Sequence, residues 1–394
     1  MNFLKNSVIM KGAVLKSEIS KVLRMQGYLI KPNGVFILRE GENKESKRKV
    51  HELAKKERIA IREDFIFSKV DLVKSYLING KDLKIEKIEP QIVEVKPGTR
   101  EEDLFKWWNL VWWSVPYERG YGRQMRFIIW DKYHNAPIGL IGLQSPILSW
   151  SVRDKYLGIK PENRDYWVNQ SLTAQRIGAL PPYNYILGGK LVALLMTSDL
   201  IRKKFQNKYK DKKTLLEGRI LPSRLLFITT TGAYGKSSVY ERLKFNEEKV
   251  AIFIGYTQGS GTFHIPNALY EKLISYLKKK GINTKRGFGS GPSRKLRLID
   301  QALRDLGFIN GATHGIQRAV YLFPLVKNLF ELIQKGKKPI WVKRDIKEMT
   351  KFWKKRWAMP RSKRNNQYLD FVAEEFIEDT LKLVKKYKRT CTIV

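Results

Sequence analysis

The sequence holds one cysteine among its 394 residues, Cys391. A single thiol excludes an internal disulfide and any cysteine metal cluster, and it fits a reducing cytoplasm. Long apolar runs are also missing. None reaches the roughly 18 residues that cross a bilayer, and the first ten residues lack the apolar core of a signal peptide. No membrane span is expected. The ending Cys391-Thr392-Ile393-Val394 looks superficially like a prenylation box, but valine is not a typical last residue there. Carboxylates are few: 38 Asp and Glu stand against 76 Lys and Arg. A DNA-cutting enzyme needs clustered carboxylates for Mg²⁺. Here Asp131, Asp154 and Asp165 are scattered, and Asp154 beside Arg153 reads as an ion pair. No metal site is read from the sequence.

What is present is positive charge, a formal net +38. Such a field attracts polyanions and far exceeds what solubility requires. Nucleic acid is the first partner it implies, and an anionic membrane surface the second. A uniform lysine bias would give similar totals, but much of this charge is arginine set beside glycine and aromatics. With 43% hydrophobic residues, most of the chain is expected to fold. Its length allows two or three domains.

The pattern divides into a basic, mainly helical region over 1–95, a core over 96–340 and a basic helical tail over 341–394. In the first region Leu15, Ile19, Val22 and Leu23 have helical spacing, Val35–Leu38 reads as a strand and Lys47–Ile61 as an amphipathic helix. An extended connector follows over Ile85–Gly98. Phe105, Trp107, Trp108, Trp112, Trp113 and Tyr117 then form an aromatic cluster, suited to core packing or, for one or two exposed rings, to base stacking.

From Arg123 the pattern alternates. Strands are expected at Met125–Asp131, Pro137–Leu143, within Asn169–Leu180, at Arg224–Thr231 and at Val250–Tyr256. Helices are expected at Leu191–Phe205, Lys236–Phe245, Asn267–Lys280 and Lys295–Leu306, with a helix or strand-helix piece at Val320–Ile333. The fold class is therefore α/β (α+β), a mixed central sheet with flanking helices.

Several segments carry candidate chemistry. Gly120-Tyr121-Gly122-Arg123 joins a glycine turn to a strand, where Arg123 offers a fork for phosphate or a base edge; a tight turn with a surface arginine is the plain alternative. Gly188-Gly189-Lys190 precedes a helix, and its glycines allow close backbone approach to an anion. Thr229-Thr230-Thr231-Gly232 leads to Gly235-Lys236-Ser237-Ser238, where Lys236 is a counter-charge and Ser237 or Ser238 a helix cap. The glycine spacing rules out a Walker nucleotide loop. His264, one of four histidines, can titrate near neutral pH or be structural. Lys285 to Arg297 is a glycine-rich basic loop entering a helix, with Arg286, Arg294, Lys295 and Arg297 placed for phosphate contact or simply solvated. Arg356, Trp357 and Arg361 form a further basic-aromatic segment.

Two resemblances follow. The order hairpin, strand, Gly-rich turn, helix, strand, short helix, strand resembles the GNAT acetyltransferase superfamily, where amides at a helix start cradle the coenzyme A pyrophosphate. It implies Tyr185, Gly188, Gly189 and Lys190 as cofactor-binding residues and an acyl-CoA-type donor. Tyr185 and Lys244 depart from that superfamily's usual residues, and the sequence itself fixes no cofactor. Second, a series of strings in order across nearly the whole chain resembles the DruA family of Druantia anti-phage systems. They are Gly-Tyr-Gly-Arg (120–123), Arg153-Asp154, Pro181-Pro182-Tyr183-Asn184, Leu187 to Ala193, Thr229-Thr230-Thr231, Ser237-Ser238-Val239-Tyr240, Gly255-Tyr256-Thr257, Gly261-Thr262-Phe263-His264, Gly289 to Pro292, His314-Gly315-Ile316 and Arg356-Trp357. Where Asn-Trp-Arg is expected after Gly-Pro, this chain has Ser293-Arg294-Lys295.

The resemblance implies an anti-phage defence role alongside other proteins of a defence system; the positive charge adds nucleic acid, DNA in particular, as the expected partner, and the single cysteine a cytoplasmic location. The alternative is a base-modifying transferase similar to the phage Mom protein, with Tyr240 as general acid and Ser238, Arg123 and His264 as further catalytic candidates. The Gly188 turn, the Ser237-Ser238-Tyr240 helix start and the Arg123 strand are expected to converge on one cleft.

Overall fold

The computed structural model describes residues 2–115, 122–214, 217–285 and 293–391. Its centre is a mixed sheet of seven strands: β1 (Pro90–Glu94), β2 (Gln124–Asp131), β3 (Ala136–Gln144), β4 (Ser171–Ala179), β5 (Phe227–Thr231), β6 (Ile252–Tyr256) and β7 (Ala319–Pro324). Their order is β6-β7-β5-β4-β3-β2-β1. β4 and β5 run parallel, and the other neighbours antiparallel. The extended connector read from the sequence thus contributes the edge strand β1.

The β2–β3 hairpin closes where Asn135 takes a positive φ of 50°, a conformation Asn tolerates better than most residues. Buried Asp131 organises this turn. It accepts hydrogen bonds from the amides of Glu89 and Tyr133 and from the Tyr183 hydroxyl, and contacts His134 Nδ1 at 2.6 Å.

The parallel β4–β5 pairing runs from Ser171 opposite Phe227 to Ala174 opposite Thr230. β5 then ends, while β4 continues to Ala179 against β3. Gln175 is the extra residue of a bulge, since Gly142 faces Arg176 and Leu143 faces Ala174. A bulge re-aims the side chains that follow it. Pairing between the two strands therefore stops at Thr230, and the far end of β4 lies against the Gly188 turn.

The helices used below are α1 (Asn2–Met25), α2 (Lys44–Ile61), α3 (Arg100–Val111), α4 (Gly188–Leu195), α5 (Asp199–Tyr209), α6 (Ser238–Glu241), α7 (Asn267–Lys279), α8 (Arg294–Asp305), α9 (Ile346–Trp353), α10 (Met359–Arg364) and α11 (Ala373–Cys391). One sheet face packs on α4, α5 and α9. The other meets Leu104, Phe105, Trp107 and Trp108 of α3, backed by Ile59 of α2 and Ile377 and Val384 of α11. Most of the aromatic cluster is thus core. Trp113 lies partly buried, and Tyr117 falls outside the described residues. A third apolar cluster joins α1 and the hairpin Tyr28–Ile30 with Phe36–Leu38 to α7 and α8.

Two expected helices differ. Leu191–Phe205 divides into α4 and α5, because Ser198 caps a new start by accepting from the Ile201 amide. Lys236–Phe245 contracts to α6, since Lys244–Phe245 pairs with Glu248–Lys249. No helix among the described residues is long and apolar enough to cross a membrane.

Candidate functional site

The Gly188 turn is built by local constraint. Tyr183–Ile186 forms a 3₁₀ turn, Leu187 adopts a positive φ of 61°, and α4 starts at once. A Cβ at Gly188 would stand 2.6 Å from the Tyr183 carbonyl oxygen, so only glycine fits. At Gly189 an added Cβ would meet only Val239, at 3.7 Å. The first amides of a helix have no intrahelical acceptor and carry its positive end.

Cations gather on this start. Lys190 is buried, donates from Nζ to the carbonyl oxygens of Val239 at 3.0 Å and Ser238 at 3.4 Å, and lies 5.0 Å from the Trp357 ring centroid. Burial, then the neighbouring charges of Arg242 and Arg356, pull its ammonium down to about 8. Arg361 Nε donates to the Tyr185 carbonyl and Trp353 Nε1 to that of Leu187, at 3.3 and 3.1 Å. The tail thus clasps the turn. Among the described residues, no carboxylate pairs with Lys190, Arg242, Arg356 or Arg361. Helix amides and cations without counter-charge suit a phosphate-bearing ligand.

α6 stands beside this turn. Ser237 occupies its cap position without a side-chain cap bond; instead its amide donates to the Tyr321 hydroxyl at 2.9 Å. Tyr321 donates in turn to Glu241 at 2.7 Å. Ser238 is exposed, whereas the Tyr240 ring is 8% exposed and packs edge-on against Tyr321 and Phe323 at 5.1 and 5.6 Å. Burial raises the Tyr240 phenol well above its ordinary range. Tyr321 lay inside an apolar run and was not a sequence candidate.

Two of the catalytic candidates stand elsewhere. Arg123 precedes β2, whose first residue pairs with Gln144 and through it with Thr173. That is the start of β4, the opposite end of the strand from Gly188. Arg123 donates to the Asn169 carbonyl oxygen and lies over Phe205 and Tyr209 at 5.6 and 5.2 Å. Its expected convergence with the Gly188 turn does not occur, because it lies at the other end of the strands. His264 is wholly buried, within 6.0 Å of Phe36 and 5.5 Å of His314, and burial lowers it to about 3.

Lys236 is exposed over Phe253, 4.8 Å from the ring centroid. On α8, Ser293 caps the first turn, Arg294 reaches the Asn283 carbonyl, Lys295 lies 4.7 Å from the Tyr270 centroid, and Arg297 is exposed. Arg286 and the Gly287–Pro292 loop, like Gly120 and Tyr121, fall outside the described residues. The dispersed carboxylates are each engaged separately. Arg153 and Arg164 hold Asp154, and Arg219 holds Asp165. Among the described residues no set of His, Cys, Asp and Glu is arranged to hold a metal ion.

The family model described as "Druantia protein DruA" matches residues 41–335. The chain is 34% identical over 397 residues to "Druantia protein DruA" of Escherichia coli (strain UMEA 4076-1), covering 98% of each chain. No solved structure matches it.

Proposed function

The chain belongs to the DruA family, and from that premise we propose that it is an anti-phage defence protein that binds nucleic acid, DNA in particular, through the cationic face around the start of α4. The observation that carries this reading is that Lys190, in the first turn of α4, has Arg242 and Arg356 as neighbouring charges and, among the described residues, no carboxylate partner. The net charge of +38 extends the same attraction over the molecule. Phosphate contacts of this kind position a strand without reading its sequence.

The strand order and the short parallel β4–β5 pairing, which stops at Thr230, support a GNAT-like core. The residues at α4 fit the diphosphate of an acyl-CoA-type donor: Gly189 leaves the backbone approachable, and Lys190, Arg242 and Arg356 supply charge. Such a donor would supply a transferable acyl group when bound. In this second reading, a base-modifying transferase, Lys190 orients the donor phosphates and the hydroxyl groups of α6 and Tyr321 are the proton-handling candidates.

The test is fluorescence anisotropy with labelled DNA, and separately with an acyl-CoA, for the native chain and for Lys190→Gln and Arg356→Gln. DNA binding weakened by both substitutions supports the first reading. Acyl-CoA binding abolished in the same variants would favour the second. Unaltered DNA affinity would remove this site from the account.

A further inference from the structure

Three of the four histidines meet on the far side of the sheet from the α4 turn. The sides are fixed by β4 itself: Gly178 faces Trp113, whereas the next residue, Ala179, faces Gly188, and adjacent strand residues point to opposite faces. His51 of α2 is wholly buried. Its Nε2 lies 3.0 Å from an Nη2 of Arg318. Arginine can only donate, so Nε2 is the acceptor and the neutral ring carries its proton on Nδ1. That Nδ1 is buried with no hydrogen-bond partner among the described residues. An orphaned buried donor is costly, so a partner that accepted from it would be stabilising.

The surroundings indicate an anion. The His51 ring lies 4.1 Å from Phe263 and 6.1 Å from Tyr234. The exposed Arg48, one turn earlier on α2, reaches over Tyr234 at 5.8 Å. One turn later, Lys55 donates to the Val111 carbonyl at 3.0 Å, and Arg176, just past the β4 bulge, donates to that of Val115 at 3.3 Å. Burial and then Arg176 pull the Lys55 ammonium down to about 8. Glycine makes the packing behind this wall feasible, since a Cβ at Gly261 would lie 2.9 Å from His314 Nε2. His314 is held by accepting from the Ile316 amide at 3.1 Å. Residues from α2, the 232–235 turn and the 314–318 segment thus place Arg48, Arg318 and the Tyr234 phenol beside the His51 ring and its unsatisfied N–H.

We propose that this is a second anion site, in which Arg48, Arg318 and the Nδ1–H of His51 take a phosphate of a nucleic-acid strand. It rests on the reading that the chain binds nucleic acid, and it places strand contacts on both faces of the sheet. Donation from Nδ1 to an anion beside Arg318 would satisfy the orphaned group and offset the repulsion among the surrounding cations.

The scarcity of histidine makes the test direct. Four imidazole resonances are followed by NMR, with His51→Gln assigning one, during additions of inorganic phosphate or of a short single-stranded oligodeoxynucleotide. DNA binding is measured in parallel by anisotropy. The His51 resonance is expected to move with both probes while that of His134, held by Asp131, stays fixed. Arg48→Gln, an exposed change, should weaken the response about tenfold. Oligonucleotide that binds without moving His51 overturns the strand assignment and leaves the nucleic-acid reading standing. Movement with phosphate alone shows a small-anion site and overturns the strand assignment. If DNA does not bind at all, the nucleic-acid reading falls with the strand assignment, and the phosphate arm alone decides whether an anion site exists. No movement with either probe overturns the anion site and the strand assignment together.

Discussion

Lys190 has a specific pH signature. Its charged form is disfavoured in the folded protein, so the ammonium loses its proton as pH rises through about 8, well before an ordinary lysine does. DNA affinity should therefore fall across that range, and Lys190→Gln should remove the part of the fall that this residue causes. A pH profile of binding checks it; Lys55, also near 8, is separated by Lys55→Gln. The sign for stability is opposite. Between about 8 and the ordinary lysine range the unfolded chain holds more protons, so the shift makes folding more favourable as pH rises. Tyr240 gives a second prediction. With its ring in the core, Tyr240→Phe should keep the melting temperature within a few degrees, and the binding account expects full protection in a plaque assay. A stable Tyr240→Phe protein that fails to protect would shift the balance to the transferase account. Gly188, Lys190, Arg356 and Arg361 were legible because turn chemistry and charge are local. His51 and Tyr321 were not: each sits in an ordinary amphipathic or apolar segment, and only tertiary packing gives it polar neighbours.

At the scale of elements, alternation and turn residues exposed most of the sheet. The β2–β3 hairpin follows from two apolar strands flanking Lys132–Asn135, and β4, β5, β6 and β7 fall within apolar runs the sequence displays. The break between α4 and α5 was hidden by continuous hydrophobicity, although Ser198-Asp199 is a capping pair by type. β1 was masked by prolines; Pro90 is tolerated because this strand is an edge. α4 carries a stability prediction. Leu191, Val192, Leu194 and Leu195 are all fully buried, so Leu194→Ala should destabilise by about 2–5 kcal/mol. A chemical-denaturation midpoint measures it, and a cost below about 0.5 kcal/mol, the size of a surface change, would contradict the packing described. The basic helix α8 was legible from its periodicity, but its partnership with α1 and the N-terminal hairpin joins segments more than 250 residues apart, a separation no local pattern encodes.

For the whole molecule, the excess of 76 cations over 38 anions makes salt the controlling variable. Counterion release gives a slope of log K against log salt of about −0.9 for each duplex phosphate neutralised. A diffuse positive surface and a built site both produce such a slope, but they respond differently to local charge removal. The decisive measurement is therefore the salt dependence of DNA affinity for the native chain and for the combined variant Lys190→Gln, Arg242→Gln, Arg356→Gln, each checked for an unchanged fold. The native chain should show a steep negative slope, and the variant a slope shallower by about 0.9 for each phosphate it no longer neutralises. Affinity that is flat with salt, or a variant whose slope and affinity equal those of the native chain, would contradict binding at the α4 start.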